Sequence, residues 1–298
     1  MNKKMTVLGV PMDHGQNRRG VDMGPSAMRY ADLTTRLEAL GYEIKDAGDI
    51  EVEKRSSESN IHHKLSNLWE VAETNKRLAS KVSAILEEQR FPLILGGDHS
   101  IAIGTIAGIS ASFNKLGVIW YDAHGDLNTA DTSPSGNIHG MPLAVSLGDG
   151  HDSLTNIGGF SPKIKPENVV IIGARELDDG EKAYIRRTNM QVYTMHEIDR
   201  LGMPEVMRQA VTYLEECDGI HLSLDLDGLD PHDAPGVGTP VLGGLNYRES
   251  HLAMEMLAES DKITSAEFVE VNPILDEKNK TAEVAVALMG SLFGEKLK

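Results

Sequence analysis

The chain has 298 residues, with 29 Lys plus Arg against 45 Asp plus Glu, a formal charge of -16 at pH 7. That balance argues against phosphate-backbone binding, so no nucleic-acid partner is expected. A hydrophobic fraction of 40% and a charged fraction of 25% are globular values that exclude global disorder. The lone cysteine, Cys217, closes no intrachain disulfide and builds no Cys-rich metal cluster, which fits a cytoplasmic protein. No apolar stretch approaches the ~18 residues of a membrane helix, and Pro11 and Asp13 interrupt the N-terminal apolar run before a signal-peptide core is complete.

Short apolar runs alternate with segments of helical period. This pattern predicts an α/β fold, a parallel sheet with helices on both faces, with no linker dividing residues 1–298. Strands are expected at Met5–Val10, Phe91–Leu95, Gly117–Tyr121, Asn168–Gly173, Gln191–Thr194, Gly219–Leu226 and Ser265–Val271, seven in all. Helices are expected at Lys64–Gln89, where Leu65, Leu68, Ala72, Leu78, Val82 and Leu86 form one stripe, and at Pro204–Glu216 and Thr281–Phe293. Glycine-rich loops follow the strands, and in an open α/β sheet such loops line the ligand crevice.

Three strand ends break the apolar pattern with ligand-type residues. Asp122, His124 and Asp126 follow Val118–Tyr121 at a spacing of two, which puts them on one face of an extended chain. Asp225 and Asp227 alternate with leucines after His221. Gly96 and Gly97 allow a turn that aims His99 at the same crevice. Four carboxylates gathered there would repel one another and suffer desolvation unless a cation joined them. Four aspartates balance two divalent ions in formal charge, and an oxygen-rich set with two imidazoles and no thiolate suits manganese better than structural zinc. A solvated loop network is the plain alternative for any one of these motifs. Its weakness is that each motif sits at the end of an apolar strand. The remaining histidines, His221 among them, are expected in surface or core roles. The glycine pairs lack phosphate-loop and dinucleotide spacing.

The segments GGDHS at 96–100, DAHGDLNTADTSPSGNIHGMP from Asp122 and SLDLDGLDP from Ser223 resemble the arginase family of ureohydrolases. GQNRRGVDMGP from Gly15 and EFVEVNP from Glu267 extend the resemblance over nearly the whole chain. It implies a three-layer α/β/α fold around a mostly parallel, about eight-stranded sheet, one strand more than the apolar runs supply. It also implies two Mn²⁺ per subunit: His99, Asp122, Asp126 and Asp225 at one, His124, Asp122, Asp225 and Asp227 at the other. The implied reaction is attack of a metal-bridging hydroxide on the guanidinium of L-arginine, giving L-ornithine and urea. Within it Asp126 relays a proton, His139 serves as acid or shuttle, and Glu270 orients the guanidinium. Asn128 and Ser135 match positions that bind the α-carboxylate, Asp178 the α-amino group, and Thr239 a hydroxyl lining the pocket. A homo-oligomer, trimer or hexamer, is implied as well. Three rivals stand beside this reading: a ureohydrolase acting on agmatine or a guanidino acid, a one-zinc deacetylase of similar fold, and a purely structural metal cluster.

Overall fold

The computed structural model describes residues 2–55 and 64–296; His62 and His63, given no role from sequence, lie outside them. Eight strands form one sheet: β1 Lys4–Val10, β2 Glu43–Asp49, β3 Phe91–Gly96, β4 Leu116–Tyr121, β5 Val169–Ala174, β6 Gln191–Thr194, β7 Gly219–Asp225 and β8 Ile263–Val269. Their order is β2-β1-β3-β8-β7-β4-β5-β6, and every pairing is parallel. The expected "mostly parallel" sheet is therefore wholly parallel among the described residues.

The strand missing from the apolar pattern is β2. Its sequence, EIKDAGD, is largely exposed and charged because it pairs only with β1 at the sheet edge, where charge protects against edge-to-edge association. The seven expected strands occur with ends displaced by up to two residues. The largest shift is in β8, which starts and stops two residues earlier than its apolar run predicts. The three expected helices are present at Leu68–Glu87, Met203–Tyr213 and Lys280–Leu292.

Strand residues alternate between two cores. Leu93, Leu95, Ile119, Tyr121, Leu222, Leu224 and Phe268 face one cluster, which includes the helices Met203–Tyr213, Tyr247–Ser260 and Lys280–Leu292. Ile94, Val118, Trp120, Ile171 and Val269 face the other, with the helices Leu68–Glu87 and Ala102–Ser110. Both faces of the sheet are thus covered, which is why its strands read as continuous apolar runs. The chain runs from β3 to β4 across a gap that β8 and β7 later fill. The loops leaving β3, β8, β7, β4 and β5 meet at this break in strand order, the place where such sheets bind ligands.

Candidate metal centre and pocket

Each of the twelve residues singled out from sequence leaves the carboxyl end of one of these strands or sits in the loop that follows. Asp98 caps the turn after β3, its side chain accepting from the backbone N–H of Ser100. The turn is tight because Gly97 lies against Met12, where a Cβ would stand 1.9 Å from the Met12 carbonyl. His99 is thereby carried under the sheet break, 1% exposed. Asp225 caps the turn after β7 by accepting from Asp227 N, and Asp122 accepts from His124 N at 2.7 Å. Asp126 and Glu270 adopt left-handed backbone conformations, φ 52° and 67°. Such residues are costly outside glycine and asparagine and cluster at functional sites.

His99 Nδ1 is ringed by Asp122 Oδ2 at 3.0 Å, Asp126 Oδ2 at 3.1 Å and Asp225 Oδ2 at 3.2 Å. His124 Nδ1 lies 3.1 Å from Asp227 Oδ2 and 3.3 Å from Asp122 Oδ1. Two sets, His99–Asp122–Asp126 and Asp122–His124–Asp227, each place one ligand atom per residue within 4.8 Å of the others, and Asp122 belongs to both.

The hydrogen bonds behind His99 fix its tautomer. Ser223 Oγ donates to Glu267 Oε1 at 2.7 Å, so it accepts from His99 Nε2–H at 2.8 Å. In neutral His99 the Nδ1 lone pair therefore faces three carboxylates, and among the described residues it finds no donor. Only a proton or a metal cation reconciles that arrangement. Imidazole and carboxylate donors without thiolate fit a divalent cation. Trp120 supports the same group: its indole stacks on His99, centroids 4.2 Å apart, and its Nε1–H donates to Asp122 Oδ2 at 3.0 Å.

The electrostatics of the ion-free cluster follow from this geometry. Burial opposes charge on His99 and His124, but hydrogen bonds and charges from Asp122, Asp126, Asp225 and Asp227 outweigh it and raise both imidazoles. Burial and the neighbouring Asp122 charge push Asp126 up to about 7. Asp225 and Asp227 are raised by burial and by neighbouring carboxylates, whereas the two imidazoles overcome burial at Asp122 and lower it.

A cavity of about 150 Å³ opens above the cluster. Of the twelve residues, His99, His124, Asp126, Asn128, Ser135, His139, Asp178, Asp225, Asp227 and Thr239 line it. Asp122 lies beneath, and Glu270 is joined to its wall through His139, Nδ1 to Oε1 3.4 Å. Burial opposes charge on His139, but the Glu270 carboxylate raises it; Glu270 is correspondingly lowered despite its burial. Asn128 Nδ2 donates to Asp178 Oδ2 at 2.8 Å, and Thr239 Oγ1 to Asp227 Oδ2 at 2.9 Å. Ser135 Oγ accepts from Asn137 N at 3.2 Å, which leaves its hydroxyl hydrogen for another acceptor.

Sequence reasoning passed over four residues of this site. Asn137 has a buried Oδ1 with no hydrogen-bond partner among the described residues and borders both the cavity and a mouth of about 470 Å³ outside it. Gln16 Nε2 donates to Glu270 Oε2 at 2.8 Å. Glu181 accepts from Asp178 N and Leu127 N, tying together the loops that carry Asp178 and Asn128; the Asp-x-x-Glu spacing of a capping box was its available signal. Trp120 is hidden in the apolar run of β4. His221 takes the expected core role, fully buried with Nδ1 2.9 Å from Ser265 Oγ.

A buried imidazole–carboxylate cluster at the break of a wholly parallel sheet, under a small polar cavity, forms a candidate metal-dependent enzyme site. A family model described as the arginase family matches residues 3–294, and the chain belongs to that family. It is 68% identical over 300 residues to an arginase of Bacillus caldovelox, covering 99% of each chain. The native structure of the Bacillus caldovelox arginase at pH 5.6 superposes with a TM-score of 0.98 over the whole of both chains. An arginase of Entamoeba histolytica, crystallised in complex with L-ornithine, is 34% identical with a TM-score of 0.91, covering 98% of this chain and 99% of that one.

Proposed function

We propose that the chain hydrolyses L-arginine to L-ornithine and urea with two Mn²⁺ ions. The observation that carries this reading is the pair of ligand groups sharing Asp122 directly beneath a cavity rimmed by Asn128, Ser135 and Asp178. His99, Asp122, Asp126 and Asp225 would hold one ion, and His124, Asp122, Asp225 and Asp227 the other. Bound there, paired divalent cations supply Lewis acidity and bring the pKa of water down toward neutrality.

The protein groups then divide the remaining work. Asp178 accepts from the α-ammonium of the substrate, while the free Ser135 hydroxyl and the Asn128 amide face its α-carboxylate. Glu270, held in place by Gln16 and by His99 N–H, orients the guanidinium with its charge, and Thr239 lines the pocket beside Asp227. Asp126, at the floor of the cavity beside His99, takes the proton of the attacking water. His139, close to Glu270 and bordering both cavity and mouth, delivers a proton to the departing amine. The ornithine carried by the Entamoeba relative supports the product side of this reading.

Agmatine lacks the α-carboxylate, so it would leave Ser135 and Asn128 unmatched and react poorly. The paired ligand groups distinguish the reading from one-zinc deacetylation, and the polar rim from a purely structural cluster. Residues 1–298 act in it as one domain, in a cytoplasmic homo-oligomer of three or six copies, which light scattering would measure. No helix among the described residues is long and apolar enough to cross a membrane. The deciding experiment is a panel of L-arginine, agmatine and a guanidino acid, assayed for urea release with Mn²⁺. L-arginine is expected to be much the best substrate; faster turnover of agmatine, or no urea from L-arginine, overturns the reading.

A further inference from the structure

Arg175 follows β5 and points its guanidinium back across the strand ends. Its Nη2 donates to the carbonyls of Asp227 at 2.6 Å, Leu229 at 3.1 Å and Val241 at 2.8 Å. Nη1 reaches the Gly228 and Gly173 carbonyls at 3.0 and 3.3 Å, and Nε the Val241 carbonyl at 3.2 Å. Its own backbone N–H donates at 2.9 Å to Ala123, the residue between Asp122 and His124. All five side-chain N–H groups are thus engaged by main-chain carbonyls rather than by a carboxylate, and the carbonyls come from the ends of three chain segments. Gly244 leaves room for the fork, since a Cβ there would lie 2.6 Å from Nη2.

These contacts are one-sided with respect to the metal centre. The guanidinium fixes the turn that presents Asp227 and, through Val241, the loop bearing Thr239, which itself donates to Asp227; the backbone N–H, which a substitution keeps, holds the strand end that presents Asp122 and His124. None of its side-chain hydrogen bonds goes to the loop that carries His99, and the loop that carries Asp126 is met only through the backbone N–H at Ala123. We infer that Arg175 is a positioning residue for the Asp122–His124–Asp227 group, setting that ion's affinity while leaving the His99 group largely to Trp120 and Ser223. The inference rests on the two-ion reading proposed above. Its physical basis is the planar fork: five donors in fixed directions span carbonyls from Gly173 to Val241, whereas a lysine ammonium radiates three donors from one point and cannot. Partners one step behind metal ligands set ligand orientation, and their loss weakens metal binding roughly 10–100-fold.

The test is calorimetric titration of Mn²⁺ into metal-stripped full-length wild type, Arg175→Lys and Arg175→Met, with folding followed by circular dichroism. Wild type is expected to take up two equivalents. Both variants should retain one equivalent within about threefold of its wild-type affinity and bind the other about 10–100-fold more weakly, with no rescue by the lysine's charge. If Arg175→Met does not fold, Arg175→Lys decides, because it keeps the charge and most of the aliphatic stem. Two equivalents of unchanged affinity in Arg175→Lys, or equal weakening of both, overturn the role of Arg175 alone. A wild-type protein that takes up no second equivalent overturns the parent reading instead.

Discussion

Ser135→Ala separates recognition of the α-carboxylate from the chemistry below it. In the folded chain Ser135 Oγ accepts from Asn137 N at 3.2 Å, and its hydrogen is free to donate. A hydrogen bond to a charged group contributes about 1.5–3 kcal/mol, which corresponds to a loss of roughly 10–150-fold in kcat/KM for L-arginine when the hydroxyl is removed. Ser135 is exposed, so Asn137 N finds water in the variant and folding is little affected. Asn128 remains, so recognition is reduced rather than abolished. Agmatine presents no carboxylate to Ser135, and its kcat/KM should stay within about twofold. The assay is urea release from both substrates by wild type and variant at saturating Mn²⁺, with metal content measured in parallel. An equal fall for the two substrates would refute the carboxylate role of Ser135, and an unchanged rate with L-arginine would place its carboxylate elsewhere in the pocket.

Other predictions address the metal groups and the acid. His99 and His124 are raised in the ion-free protein, so a cation must displace their protons; Mn²⁺ affinity should climb with pH through neutrality, and calorimetry in buffers of different ionisation enthalpy should show proton release. No release would mean that the imidazoles are neutral before metal arrives. Trp120→Phe keeps the ring over His99 but removes the donor to Asp122, and should weaken Mn²⁺ binding by roughly 10–100-fold; an unchanged titration speaks against it. His139→Ala should lower kcat by roughly 10²–10⁴-fold without changing metal stoichiometry, and undiminished turnover would remove His139 from the chemistry.

The site was legible in the sequence where polar residues interrupt strongly apolar strands. Asp122, His124 and Asp126 after β4, and Asp225 and Asp227 after β7, announce themselves because nothing in the core requires charge there. β2 was illegible for the opposite reason: this edge strand with one neighbour is charged at four of its seven positions, and periodicity cannot separate it from a loop. Glu270 lies one residue beyond β8 in a left-handed turn, so the run of apolar residues through Val271 displaced the expected strand end past it. Arg175 leaves no trace at all. Its partners are backbone carbonyls of Gly173, Asp227, Gly228, Leu229 and Val241, whose side chains say nothing about the guanidinium that joins them. Asn137 and Gln16 read as ordinary loop residues until the fold brings them to the pocket wall and to Glu270.

In the proposed reaction two ions, held by these six ligands, would lower the pKa of the attacking water and so permit hydrolysis. The most direct measurement is urea formation from L-arginine by chelator-stripped protein as Mn²⁺ is restored in known equivalents. The account predicts negligible turnover without metal and a rise that reaches its plateau only as the second equivalent binds. Full activity in the stripped protein, or a plateau at one equivalent, would contradict it.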